Sequence, residues 1–359
     1  MGTARGSHGR EPVRVRVHAD PEEAWALAAA WERLADDTGA GPFARPDYAL
    51  TWWEHLGSGA LHLVTAWTGD RLVALAPLHR RGRGPAAVLR WLGHGLGTVG
   101  EAVVAPGAEE AAGALWRGAT ARGESLQLVE SLEGAPALEP LRAGRRGRSV
   151  RASPRDRCPV VDLSAGVEAH LRDPARRRLR RTLSLADRRL AAAGSTFHVE
   201  TADDPEAVRA VLPAVRHVFD AAEAGRPRQH LLRPPWQGFT EQVLLRASGR
   251  GRALVLVGHV DGEPVSFDLA LLTARTMHTW VGRFHPDAAA FSPGHLLQRA
   301  GLHAAADRGL TRVDLLLGDS AYKRLWATGG YGTCDVVEAP RLLAAGVQRA
   351  LDLVERRHR

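Results

Sequence analysis

The sequence has a single lysine, Lys323, and no isoleucine or asparagine, in a chain of 359 residues with 48 lysine and arginine residues together. These missing types share A- and T-rich codons, so their depletion marks a GC-rich coding background in which arginine has taken over the cationic positions. A lysine kept against that drift points to a place that needs an ammonium. Lysine is a compact charge whose pKa moves on burial, whereas arginine is a wide, permanently charged fork. The plain alternative is a chance survivor on a solvated helix face. Cysteine is also scarce: Cys158 and Cys334 alone exclude a disulfide framework and a cysteine zinc site, and they suit a reducing cytosol. No stretch approaches the run of about 20 apolar residues that spans a bilayer. Residues 1–10 lack the apolar core of a secretory signal. Stable membrane insertion is therefore excluded, and a soluble cytoplasmic protein is expected. The sixteen histidines show no H-E-x-x-H or similar spacing, so no catalytic metal is expected. There is no G-x-S-x-G elbow either, which removes Ser292 as a hydrolase nucleophile.

What is present is a globular composition, 45% apolar, on a chain long enough for two domains. The net charge of +8 and pI near 10.6 fit a phosphate-rich partner such as a coenzyme, a nucleotide sugar, tRNA or an anionic lipid. Solvated surface is the plain reading of the same charge.

Along the chain, residues 13–18 alternate with period two and read as a strand. Asp20 and Pro21 open a helix, and Pro46 opens another. Residues 62–67 and 71–78 form a hairpin, 88–92 a strand, 109–121 a helix and 126–131 a strand. The second half repeats this order. Asp173 and Pro174 open an arginine-rich helix, and residues 204–222 form a further one. Residues 252–260 and 264–273 form a hairpin around an Asp261-Gly262 turn. A strand over 277–284, a helix from Ser292 and a strand over 313–317 follow. The division read from this pattern is a disordered tail at 1–12, a domain at 13–142, a basic linker at 143–155, a second domain at 156–337 and a terminal helix at 338–359.

Two constellations carry chemistry. Ser292, Pro293 and Gly294 start a helix directly after a strand, where free amides favour an anion; an ordinary capped helix is the alternative. Gly318 to Trp326, behind the apolar residues 313–317, supplies Asp319, Tyr322 and Lys323 as base, acid and cation at the C-terminal end of a strand. The alternative is that Asp319 or Ser320 caps a helix and Tyr322 packs. His285 and Asp287 could line a cleft or lie on a surface loop. The glycine-rich 93–100 resembles a phosphate loop only in composition, and the arginine-rich helix reads more readily as a solvated face than as a phosphate or RNA site.

Taken together, residues 43–53, 72–78, the arginine-rich helix, 261–265, 291–297 and 318–323 resemble the GNAT-superfamily proteins of the BioF2-like and CelD/BcsL acetyltransferase type, relatives of the FemAB aminoacyltransferases. The resemblance runs from about 13 to 337. It implies an α/β (α+β) fold of two tandem GNAT-like domains, each a mixed, mostly antiparallel sheet flanked by helices. It also implies an N-acyltransferase that moves an acyl group from acetyl-CoA or another acyl-CoA to an amine of a small molecule, sugar or envelope precursor. In that scheme Lys323, Tyr322, Asp319 and Asp287 are catalytic, and Ser292, Pro293, Gly294, His295 and Arg283 hold the donor. The alternatives are a Fem-like aminoacyltransferase using aminoacyl-tRNA, so that tRNA rather than DNA is the nucleic-acid partner, and a non-catalytic partner in polysaccharide or natural-product biosynthesis.

Overall fold

A computed structural model describes residues 11–224, 231–344 and 346. The first half supplies strands β1 (Arg14–His18), β2 (Ala60–Thr68), β3 (Arg71–Arg81), β4 (Val88–Trp91), β5 (Val103–Val104) and β6 (Ser125–Leu132). Then come β7 (Arg148–Asp162), β8 (Phe197–Ala202), β9 (Ala253–Val260), β10 (Glu263–Leu272), β11 (Thr276–Phe284), β12 (Arg312–Asp314) and β13 (Gly329–Pro340). All join one mixed sheet in the order β1-β2-β3-β4-β6-β13-β7-β12-β11-β10-β9-β8, with β5 on β3. The expected class, a mostly antiparallel sheet flanked by helices, is what the chain forms.

The two halves repeat one plan. Each has an antiparallel hairpin (β2-β3; β9-β10), a third strand, a helix, and a short strand parallel to the third (β4 with β6; β11 with β12). The turn of the second hairpin has both central residues at positive φ, Asp261 at 50° and Gly262 at 89°, as a two-residue turn matching the strand twist requires. Alternation along β9 and β10 then sorts the core. Val255, Val257, Phe267 and Leu269 face helices Pro205–Glu223 and Trp236–Ser248, while Leu254, Leu256, Ala270 and Leu272 face helices Arg177–Ala193 and Pro293–Asp307.

The closing strand of each half pairs with the other half: β7 lies against β12, β13 against β6, and β7 and β13 against each other. The expected linker at 143–155 is thus largely β7, a structural strand in mid-sheet. It escaped the sequence pattern because residues 149–157 are mostly solvent-exposed, so apolar alternation is lost, and because its partner lies far away in the chain. Residues 338–340, expected in a terminal helix, complete β13. The rest of that helix, except 341–344 and 346, and residues 1–10 of the expected tail, lie outside the described residues.

The halves also share a core. Helix Pro46–Leu56 packs on helix Trp236–Ser248, with Tyr48 edge-on to Phe239 at 5.4 Å and to Trp280 at 5.8 Å. Where β7 and β13 begin and end together, the fully buried carboxylate of Glu338 accepts from Arg145 Nε at 2.6 Å and stands 2.8 Å from Arg148 Nε. Among the described residues no helix is long and apolar enough to cross a membrane. Removing one member of a buried ion pair leaves the other uncompensated. Glu338→Ala should therefore cost about 3 kcal/mol. It should lower one cooperative melting transition, and calorimetry that resolved two independent transitions would contradict the shared sheet and core.

Candidate active site

β11 and β12 pair for three residues only, Thr276 with Arg312, Met277 with Val313 and His278 with Asp314. Beyond them the strands part for two reasons. Trp280 bulges from the β10-β11 ladder, whose register jumps between Leu269 and Ala270. On the other side the chain turns away after Asp314, with Leu316 at φ 56° and Gly318 at φ 96°, while Leu315 N–H donates to Pro159 of β7 at 2.9 Å. The result is a wedge. One wall is β11 from Thr279 to Phe284, which has no strand on that side; the other is 315–326. The start of helix Pro293–Asp307 closes one end.

Asp314 fixes the apex. Its buried carboxylate accepts from Leu316 N–H at 2.8 Å and from the Tyr331 hydroxyl at 2.8 Å, and His278 Nδ1 stands 3.5 Å away. Burial alone would raise its pKa, but His278, the Leu316 amide and Tyr331 overcome this and hold the carboxyl below its usual value. Lys323, in the short helix Ala321–Trp326, donates from Nζ to Leu316 O at 3.2 Å and to Leu317 O. It therefore ties down the turn that forms the second wall. Its pKa is lowered by burial, against the pull of Cys158, Asp314, Asp156 and Asp319. Burial pushes the Cys158 thiol up to about 12, so it stays protonated and is no nucleophile.

Tyr322 donates to Gly294 O at 2.9 Å, joining the two sequence motifs at the helix start. Burial and the charge of Asp268 hold its hydroxyl protonated. His295 lies against it, ring centroids 4.8 Å apart, and accepts from Trp326 Nε1 at 3.2 Å. Ser292 adopts the left-handed conformation, φ 54°, and caps the helix through its carbonyl rather than its hydroxyl. A Cβ on Gly294 would meet only Phe284 at 3.7 Å, so the space over the helix start is open, and the Gly294 amide has no backbone acceptor among the described residues.

The other expected residues are placed elsewhere. Arg283 points to the opposite face, bonded from Nε to the buried Glu223 at 2.5 Å. Asp287 is exposed, with its carboxylate 3.9 Å from His285 Nδ1. Asp319 is exposed and paired with Arg324 at 3.2 Å. Two acidic residues were missed, Asp314 at the apex and a second one in β10. Asp268 of β10 faces the wedge side with Ala270 and Leu272, and its carboxylate lies across Gly282 of β11, its pairing partner. The signal was in the sequence: a charge set within the apolar run of Phe267, Leu269, Ala270, Leu271 and Leu272.

The first half has the equivalent parting of β4 from β6, but it is plugged. Gly100 forms a parallel bridge to Ser131, Trp91 Nε1 donates to Ser131 Oγ at 3.0 Å, and the 93–100 loop leaves only about 10 Å³ free.

With this geometry the comparisons are informative. Residues 177–324, which contain all of the first wall and 315–324 of the second, match the family model described as an acetyltransferase (GNAT) domain. These residues of the second half are similar to a GNAT domain. Comparison with curated proteins gives no match. Among solved structures, a C-terminal domain of a putative lysylphosphatidylglycerol synthetase from Agrobacterium fabrum superposes with TM-score 0.60 at 16% identity, over 93% of this chain and 97% of that one. L-PGS from Bacillus licheniformis gives TM-score 0.56 at 16% identity, over 90% and 93%. FemX gives 0.60 at 14%, over 90% and 96%. At these identities the likeness is one of fold, and it covers at least 90% of the chain.

The Asp314 network yields a sign for pH. A carboxyl held below its unfolded value contributes stability that is present above about pH 4 and lost as pH falls through its folded value. Asp314→Ala should destabilise the GNAT domain by about 2 to 4 kcal/mol at pH 7. That difference should shrink on melting below pH 4, and a difference constant down to pH 2 would contradict the network.

Proposed function

We propose that the GNAT domain transfers an acyl group, acetyl in the first instance, from an acyl thioester of coenzyme A to the nitrogen of an amine, with the chemistry in the wedge between β11 and β12. The observation that carries this reading is the joining of the two motifs there: Tyr322 on Gly294 and Lys323 on the opposite wall, at the C-terminal end of a parallel pair.

A transferase of this kind needs little covalent chemistry from the protein. It must orient a thioester beside a neutral amine and stabilise the oxyanion. The unpaired edge of β11 supplies amides for the carbonyl oxygen. The open helix start, with the Gly294 amide and the positive end of a helix of 15 residues, suits the donor's phosphates. Tyr322, held protonated, orients that helix start through its single donor bond to Gly294 O, and would have to exchange that acceptor to protonate the leaving group. Lys323 fixes the turn and adds positive charge where negative charge develops. Asp319 and Asp287 remain candidates only for orienting an acceptor at the rim.

An aminoacyl-tRNA donor is the second reading. Arg177, Arg178, Arg181 and Arg188 favour it, since they lie exposed on one helix without an acidic partner among the described residues. Binding that falls steeply with salt for tRNA, and is absent for coenzyme A, would decide for it.

Titration calorimetry with coenzyme A tests the donor site. Gly294→Glu, which has room to fold, should weaken binding at least about tenfold by repelling phosphates, and unchanged binding would sink the assignment. With acetyl-CoA as donor, Lys323→Ala should slow turnover about 30-fold to 1000-fold, and Lys323→Arg should fail nearly as badly, because the fork does not fit between the carbonyls. Native turnover by Lys323→Arg would make the lysine a codon survivor, and a non-catalytic partner would show no turnover to lose.

A further inference from the structure

Resting on the acyl-transfer reading, we propose that Asp268 is the site's base: its carboxylate receives the acceptor as a primary amine and takes the proton that the amine loses.

Three observations carry this. Asp268 is half-buried on the face of β10 that also carries the buried Ala270 and Leu272, a position where a carboxylate is costly unless partnered. Yet it makes neither a hydrogen bond nor an ion pair with any described residue, in a chain full of arginine. Second, the fold makes room for it. A Cβ on Gly282 would stand 2.0 Å from Asp268 Oδ1, so only glycine lets the carboxylate lie across β11 at the wedge. Third, the charge of Asp268 is felt by Tyr322, whose hydroxyl rests on Gly294.

The cationic side chains nearby are committed elsewhere: Arg283 to Glu223 on the opposite face, and Lys323 to the carbonyls of Leu316 and Leu317. Of the ionisable groups at this end of the site, Tyr322 is held protonated and His295 neutral by burial; on the two helices that pack on this face, Arg299 is paired with Asp187, and Arg180 and Arg189 are bonded to the carbonyls of Leu171 and Ala290. A neutral primary amine, which can donate an N–H to the carboxylate, is the partner this arrangement lacks. Burial pushes the Asp268 carboxyl up to about 7, which suits a base working near neutrality.

The step balances. The amine nitrogen bonds to the thioester carbonyl carbon, one N–H proton passes to Asp268, and the carbon–sulfur bond breaks with its electron pair leaving on sulfur. The proton on Asp268 then reaches the departing thiolate through solvent, giving an amide and a thiol.

The test uses the full chain, acetyl-CoA and a panel of primary amines (amino sugars, amino acids and polyamines), followed by thiol release. In the native chain turnover should rise with pH through a limb centred near 7. Asp268→Asn should lower kcat by about 10² to 10⁴-fold and abolish that limb, with coenzyme A binding unchanged. Gly282→Ala, which displaces the carboxylate, should lose the limb too. A stability readout separates a base from a structural residue. Because the folded value lies above the usual 3.8, the native state holds the proton more tightly than the unfolded chain, and stability falls as pH rises from about 4 to about 7. Asp268→Asn should therefore melt above the native chain at pH 8 and level with it at pH 4; a structural carboxylate would melt lower when removed. Native turnover and an intact limb in Asp268→Asn overturn the inference and leave the acyl-transfer reading standing. A native chain that acetylates no amine overturns that reading and this inference with it.

Discussion

The structure around the candidate site depends on one buried carboxylate. Asp314 is the last residue at which β11 and β12 still run together, and it gathers the strand before the gap, the turn after it and β13, one strand beyond β7, through His278, Leu316 and Tyr331. A buried charge is tolerated only where such partners surround it. By gathering them, Asp314 lets the sheet open immediately beyond without unravelling. Lys323 completes the device from the other wall, since the carbonyls freed by the positive-φ turn would otherwise be left without donors.

The exchange of closing strands explains why two similar halves are not two independent sites. β13 leaves the wedge of the second half and goes on to pair with β6, while β7 leaves the first half and borders β12. Each half is therefore completed by the other. Their partings differ in filling: the first is occupied by its own chain, with Trp91 and Gly100 bonded to Ser131 and its neighbours, whereas the second has open space over Gly294. The first half works as the buttress whose Phe43 and Tyr48, together with Phe239 of the second half, bury Trp280 behind β11.

Much of this was legible locally. The Asp261-Gly262 turn, the helix opened by Ser292 and Pro293, and the odd survival of Lys323 are short-range signals, and the structure brings the last two together through Tyr322 and Gly294. What was not legible depends on distant partners. Residues 143–155 read as a linker because a solvent-exposed strand shows no apolar alternation, and because the partner of Arg148 is Pro340. Arg283 read as a donor ligand because nothing nearby in sequence announces Glu223, which lies 60 residues away. Asp268 carried its signal in plain view, but the meaning of a charge in an apolar strand appears only when Gly282 is found beneath it.

Backbone hydrogen–deuterium exchange with and without coenzyme A tests the central claim, that the open wedge of the second half is the donor site. Saturating coenzyme A should slow exchange in 279–284, 292–296 and 316–323 and leave 93–100 unchanged. Protection at 93–100, or none at the wedge, would contradict the account.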